Sequence, residues 1–465
     1  MLNEENTGKK PKSLDDRLAE GRALRKHVSR GEHATWTPPQ NRKDSLTILE
    51  ESDEGRIPDL VAVRHSRMSQ SSFAFYRGLA ALMAADLAST PVTGMKVQAC
   101  GDCHLQNFGG FATPERNLIF DINDFDETAP APWEWDLKRL AVSAVLAGRQ
   151  MKLDKIAISE SVHSCIHSYK IHMNDLARSS ALDVWYSKIV PQDFFDAFRK
   201  KSQKRNFEKQ IQQSESENSR SLFPKLTEVV NGERRIIDNP PLIYHPKELK
   251  DFEHEMEQFL DEYYASLTHE LRVLLRRYRL LDVALKVVGI GSVGTRCAVT
   301  LLMEENNDPL FLQFKEARHS VLEKYAGMKS TFANQGERVV AGQKLMQSAS
   351  DMFLGWNTHK HKLDFYFRQL RDAKITVNLE KVNGIEFITY LGFCGWSLAQ
   401  SHARSGDPAL IAGYIGKSNA LEKAIANFAI AYADQIEEDF SDFRKALSSG
   451  RLAADENVSP EKIFD

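Results

Sequence analysis

The tightest constraint in this sequence is the stretch from Cys100 to Glu127, which reads CGDCHLQNFGG, then a short turn segment, then FDINDFDE. Asp102, His104, Asn107, Asp121, Asp124, Asp126 and Glu127 fall within it, interleaved with apolar residues of β type. Groups able to move protons or bind metal at this density are the composition of a site. Strand-like flanks at residues 96 to 99 and 117 to 120 predict two acidic turns emerging side by side from a small hairpin. Asp102 and Asn107 have D-x-x-x-x-N spacing. One loop can then hold a carboxylate toward an attacking hydroxyl while a carboxamide oxygen turns back to a hard cation. Asp124, with Asp126 beside it, supplies further oxygen ligands; Mg²⁺ needs only one or two carboxylates when phosphates and water complete its octahedron. Asp and Asn are also common as caps of helices and turns. Capping alone leaves so many acids at strand ends unexplained.

The chain has 465 residues, room for two or three domains with a large core and a cleft. A net charge of -3 offers no compositional support for nucleic-acid binding. The amino terminus lacks the apolar core of a signal peptide, and no run approaches the length of a membrane span, so a cytoplasmic protein with no membrane partner is expected. Five cysteines, an odd number spread over the chain, argue against a disulfide framework. Cys100 to His104 satisfies C-x-x-C-H, the c-type haem pattern, but haem attachment requires export; the two cysteines read as small fillers beside the loop.

Along the chain, residues 1 to 12 are polar and expected to be disordered; a capping box at Ser13 opens a charged helix ending near Gly31, and a weakly patterned linker runs to about residue 58. Leu79, Leu82, Met83 and Leu87 mark a buried helix; Arg64, Arg67 and Arg77 near it have the reach to meet a phosphate, but a helix-flanking arginine is more often a surface or capping group. Pro130 and Pro132 are expected to stop the strand pattern before helices over residues 133 to 151 and 154 to 177. His163 and His167 on the second helix read as a polar face, with no third metal ligand in matching context. Residues 199 to 246 look like an insertion containing an Asn231-Gly232 hairpin, and a long helix is expected from about 248 to 281. Further helices are expected around Gly395 to His402 and from about 418 to 447; His402 and Asp407 fit a packed helix terminus better than a catalytic pair.

A glycine-rich segment follows: Gly289, Gly291 and Gly294, with Ser292 between them, then β-branched alternation and a second strand ending in Lys315. A bare G-x-G-x-x-G is weak evidence. In a dinucleotide fold the glycines open a helix, with Glu316 as the ribose acid; here they lead into a strand. The order is a hairpin with glycines at its mouth and a lysine on the next strand, the order of a kinase phosphate-covering loop and its lysine. Glu323 and Glu337 both lie on predicted helices, over residues 320 to 325 and 335 to 351, from which a glutamate can pair with Lys315, and the sequence leaves that choice open. A strand over residues 364 to 370 follows.

GDCHLQN, NDFDE and then Asp136-Leu137-Lys138-Arg139-Leu140 resemble the motifs of aminoglycoside and choline kinase-like phosphotransferases. Over about residues 55 to 450 the chain also resembles the bacterial DUF2252 family, placed in the protein-kinase-like superfamily. The resemblance implies ATP and Mg²⁺ as cofactors. It makes Asp102 the catalytic base with His104 orienting its loop, Asn107 and Asp124 the metal ligands, Asp136 a structural acid, Lys315 the phosphate clamp, and the segment after residue 370 the adenine-receiving hinge. It implies an α+β, two-lobe kinase-like fold. The Asp102 loop precedes the glycine loop, the reverse of ordinary kinase order, so a circular permutation is expected. The expected divisions are an N-terminal helix and linker (1 to 58), a helical lobe (59 to 285), a β-rich nucleotide lobe (286 to 375) and C-terminal helices (376 to 465). The expected function is phosphoryl transfer to a hydroxyl of a small-molecule or protein acceptor that the sequence leaves open, as it does the oligomeric state. A catalytically inactive nucleotide-binding regulator is the alternative; a metallophosphoesterase lacks its Gly-Asn-His block.

Overall fold

The computed structural model describes residues 12–245, 252–328, 330–358, 362–370 and 373–455. The expected disorder up to residue 11, the start of the helix expected from residue 248, and residues 371 and 372 of the segment after Leu370 lie outside the described residues.

The architecture is α+β. Its largest sheet is antiparallel with six strands in the order Gly355–Thr358, Asp364–Gln369, Pro309–Ala317, Cys297–Glu304, Tyr278–Lys286 and Ile243–Tyr244. Period-two alternation sorts its side chains. Lys315 lies opposite Tyr366 and Gln313 opposite Arg368, so these four share one face. Leu312, Phe314, Phe365 and Phe367 take the other face, where they form an apolar core with Phe259 and Tyr263 of the helix Phe252–Ala265. The sheet therefore has a greasy side covered by a helix and a polar side turned toward the rest of the protein.

The larger core surrounds the helix Trp133–Gln150, which is buried on every face from Trp133 to Gly148. Such a helix has to be enclosed. Lys155–Leu176, Gly384–Ser405 and Ala420–Ser448 pack around it. Gly395 is where two of these helices meet most closely, since a Cβ there would stand 2.1 Å from the Cys165 carbonyl oxygen. Against this core lies a three-stranded sheet, Ile375–Thr376, Phe108–Ala112 and Leu118–Ile122, and a two-stranded ribbon of Lys96–Ala99 with Ala129–Pro132. Among the described residues no helix is long and apolar enough to cross a membrane.

Several expectations are corrected. The flanks of the acidic stretch belong to different sheets: Lys96–Ala99 pairs with Ala129–Pro132, while Leu118–Ile122 pairs with Phe108–Ala112. Pro130 and Pro132 lie inside a strand, which a two-stranded ribbon tolerates because its outer edge needs no donors. The long helix is two helices, Phe252–Ala265 and His269–Leu275, and Tyr278–Lys286 joins the sheet, where side-chain alternation across Val283 and Leu285 outweighs helix propensity. The first helix ends at Ala23, and the supposed linker contains the helix Ser45–Asp53, anchored by buried Leu46, Ile48 and Leu49. The Asn231-Gly232 hairpin forms as expected, with positive φ at both turn residues, 51° and 87°.

Gly395→Ala is expected to lower stability by about 1–3 kcal/mol through overpacking between Lys155–Leu176 and Gly384–Ser405. Thermal unfolding checks this, and an unchanged Tm would contradict the close helix contact.

Candidate active site

The loop after Lys96–Ala99 is fixed by its backbone. Asp136 accepts from Cys100 N–H at 2.6 Å and Gly101 N–H at 3.0 Å, and His402 Nε2 lies 3.3 Å from the same carboxylate. Gly101 has φ +83° and passes so close to Glu127 that a Cβ would stand 2.2 Å from its carbonyl oxygen, so only glycine fits. This geometry presents Asp102. Arg139 donates to Asp102 Oδ1 from Nε (2.8 Å) and Nη2 (2.5 Å), while His104 Nε2 lies 3.7 Å from Oδ2. His104 is 3% exposed, and burial holds its imidazole well below the usual range, with the Arg77 and Arg139 charges adding to the effect. A neutral ring is therefore packed behind the loop. Asn107 Nδ2 donates to Asp102 O at 2.8 Å, and its own carbonyl accepts from Asn123 N–H at 2.7 Å, tying this loop to the acidic turn.

The acidic turn meets the polar face of the large sheet. Lys315 Nζ donates to Asp126 Oδ2 at 2.5 Å, Ser292 Oγ donates to the same oxygen at 3.1 Å, and Tyr366 OH donates to Oδ1 at 2.5 Å. Two carboxylates one residue apart are driven in opposite directions. Burial favours the neutral form of both, but the charge and hydrogen bond of Lys315, with Tyr366 and Arg368, hold Asp126 at about 2. Asp124 is raised by burial and by the Asp126 charge, only partly offset by Lys315 and Arg368. Among the described residues no three His, Cys, Asp or Glu side chains form a ready metal site. Asn107 and Asp124 nonetheless fit a hard cation that takes its remaining ligands from phosphates and water, because a cation would relieve the repulsion that raises Asp124.

Two cavities flank this junction. One, of 710 Å³, lies between the sheet and the Phe108–Ala112 hairpin; Lys286, Lys315 and Arg368 bring cations to it, and Val288, Phe353 and Leu370 an apolar wall. The other, of 570 Å³, contains Asp102, His104, Asn107 and Arg77. Asp124, Gly289 and Ser292 line both. The glycine loop bridges two antiparallel strands with positive φ at Gly289 (67°) and Gly294 (90°), while a Cβ at Gly291 would stand 3.3 Å from Arg77 O. No helix follows it, so the dinucleotide arrangement is absent. Glu316 instead pairs with Arg296 at 3.1 Å.

Of the two glutamates offered as partners for Lys315, neither Glu323 nor Glu337 pairs with it among the described residues. Lys315 points across the crevice to Asp126, whereas Glu323 lies 3.3 Å from His319 Nδ1 and 3.8 Å from Arg338 Nε; Glu337 sits in the first turn of Gln335–Met346. Asp121 is fully buried, accepting from Ser348 and Ser397, and holds structure. Arg64 is committed to Asp53, and Arg67 donates to Gly289 O. His163 and His167 meet Glu422, which Lys170 also contacts. His402 bonds Tyr169 and Asp136, and Asp407 caps the helix Pro408–Ile415. Tyr366, Arg368 and the role of Arg139 were not anticipated from sequence. Tyr366 and Arg368 alternate with Phe365 and Phe367, a period-two pattern that marks one polar strand face.

Residues 56–446 match the family described as "Uncharacterized protein conserved in bacteria (DUF2252)". The chain belongs to the DUF2252 family. Comparison with curated proteins and with solved structures finds no match. In this DUF2252 protein, Glu127 offers a pH test. Burial pushes its carboxyl up to about 7, against the Val321 N–H it accepts at 2.8 Å and the nearby Arg338 charge. The unfolded carboxyl titrates near 4.5, so inside that window the folded chain holds a proton the unfolded chain has released. Stability from this group is full below the window and is lost as pH rises through it. Glu127→Gln is expected to stabilise the protein relative to wild type more near pH 8 than near pH 4, by on the order of 1–3 kcal/mol, read as a larger Tm increase at the higher pH. Equal shifts at both pH values would contradict the assignment.

Proposed function

We propose that this protein is a Mg²⁺-dependent phosphotransferase with a circularly permuted, kinase-like two-lobe fold, moving the γ-phosphoryl of ATP to an acceptor hydroxyl. The observation that carries the reading is the meeting of Lys315 and Ser292 with Asp126 across one crevice, although Asp126 lies far earlier in the chain. Its chain order supports the permutation: the Asp102 loop and acidic turn come first, and the helices Phe252–Ala265 and His269–Leu275 then lead into the strand before the glycine loop.

In this reading the 710 Å³ cavity takes the nucleotide, with the base toward Val288, Phe353 and Leu370 and the phosphates toward Lys315. Gly289, Gly291 and Gly294 allow backbone N–H groups to approach those phosphates. Asn107 and Asp124 would hold Mg²⁺, which when bound neutralises phosphate charge. Asp126 keeps Lys315 extended into the crevice, and Arg139 fixes Asp102 so that Oδ2 faces the acceptor cavity. A carboxylate with one oxygen engaged still orients a hydroxyl, which suffices for a reaction that depends chiefly on positioning and electrostatics. The same arginine also favours a second reading, a nucleotide-binding regulator without turnover, because its guanidinium already occupies one oxygen of Asp102.

Asp124→Ala is expected to abolish ADP formation from Mg-ATP, and Lys315→Ala to lower kcat/KM by about 100-fold or more. Coupled ADP-release assays over an acceptor panel, with and without a chelator, check both. Full activity in Asp124→Ala would contradict the metal assignment, and tight ATP binding with no transfer to any acceptor would select the regulator.

A further inference from the structure

Among the described residues lining the Asp102 cavity, one arginine has a buried nitrogen without a hydrogen-bond partner. Arg56, Arg64, Arg318 and Lys324 line the same space, and each is committed; Lys362 lines it as well. Arg56 donates to Ser52 O and Val293 O, Arg64 to Asp53, Arg318 to Ser52 O and Glu54 O, and Lys324 lies 3.3 Å from Glu51. Arg77 differs from them. Its Nε is buried without a hydrogen-bond partner, and its one contact of note is the Phe73 ring, 5.7 Å from Cζ. Phe73 in turn lies edge-on to His104 at 6.4 Å, so Arg77 stands beside the Asp102 loop. Its carbonyl packs under the glycine loop at Gly291. Burial disfavours its charge, and the carboxylates that favour it, Asp102 and Asp124, are those at the reacting centre, neither within ion-pair distance.

A half-buried arginine with a buried nitrogen carries a cost of desolvation that hydrogen bonds ordinarily offset. Here the fork of donors is unspent, and a guanidinium fork matches the oxygens of a phosphate or carboxylate. Arg77 lines the acceptor cavity and is absent from the lining of the nucleotide cavity. We propose that Arg77 binds an oxyanion carried by the acceptor, so that the acceptor is an anionic alcohol bearing a phosphate or carboxylate beside its reactive hydroxyl. This rests on the phosphotransferase reading for the word acceptor; the oxyanion site itself does not.

The test titrates inorganic phosphate calorimetrically into the full chain saturated with Mg²⁺ and β,γ-imido-ATP, in which the γ position is filled, and in parallel into the Mg-ADP complex. Phosphate is expected to bind both. Arg77→Gln is expected to weaken it about tenfold or more while leaving the analogue's own affinity within about twofold, and Arg77→Lys to recover part of the loss. Thermal unfolding of both variants verifies that each is folded before the affinities are compared. The proposal is overturned if wild type binds no phosphate, if Arg77→Gln binds it as well as wild type, or if binding occurs only with ADP, which would assign Arg77 to the transferred phosphoryl group. Should neither nucleotide bind, the phosphotransferase reading fails. Phosphate titration of the nucleotide-free variants still decides the oxyanion site by the same comparison.

Discussion

The ion pair between Lys315 and Asp126 is the contact on which the rest of the site depends. The lysine is 2% exposed, and removing both charges from water costs several kcal/mol per ion before their attraction repays any of it. Such a pair is a poor source of stability. It serves as a fixed point, because Ser292 and Tyr366 converge on the same carboxylate and Arg368 extends from the same sheet face toward Asn123 O. Two strands and a loop of the sheet are thereby registered against one turn of the helical part.

A second set of contacts makes that turn rigid. Asp136, on the most buried helix, holds the backbone of Cys100 and Gly101, and Arg139, one turn later, holds Asp102. The helix carries no reactive group toward the cavity itself; it sets where the Asp102 loop points. Arg338 does comparable work on the far side, donating to the carbonyls of Asp126, Thr128 and Arg318. Within this frame Asp124 and Asp126 diverge. One is ionised and spent on Lys315. The other is raised by burial and by its neighbour's charge.

Much of the site was legible because its residues are local in sequence or follow a simple period. The D-x-x-x-x-N spacing, the glycines with positive φ and the lysine on the next strand all express short-range rules. The unread parts depend on long-range packing. Glu323 and Glu337 were reasonable partners for Lys315 from helix position alone, but the side chain points to whichever acid the sheet face meets, and that is Asp126. The first residues of the strand Tyr278–Lys286 read as the end of a helix reaching about residue 281, because Leu280 and Leu281 satisfy either period, and the sheet neighbours decided the outcome. Ala129–Pro132 was hidden by its prolines, whose lack of donors matters little in a two-stranded ribbon. Arg77, Arg64 and Arg67 are alike in the sequence; that Arg77 Nε is buried without a hydrogen-bond partner is a property of the folded chain.

The most direct measurement is a crystal structure of the protein with Mg²⁺ and a nonhydrolysable ATP analogue. The account predicts a triphosphate lying between Lys315 and Asp124 beneath Gly289 and Gly291, with the base against Val288 and Phe353. A nucleotide bound anywhere outside that crevice, or a crevice in which Lys315 and Asp124 touch no phosphate, would contradict it.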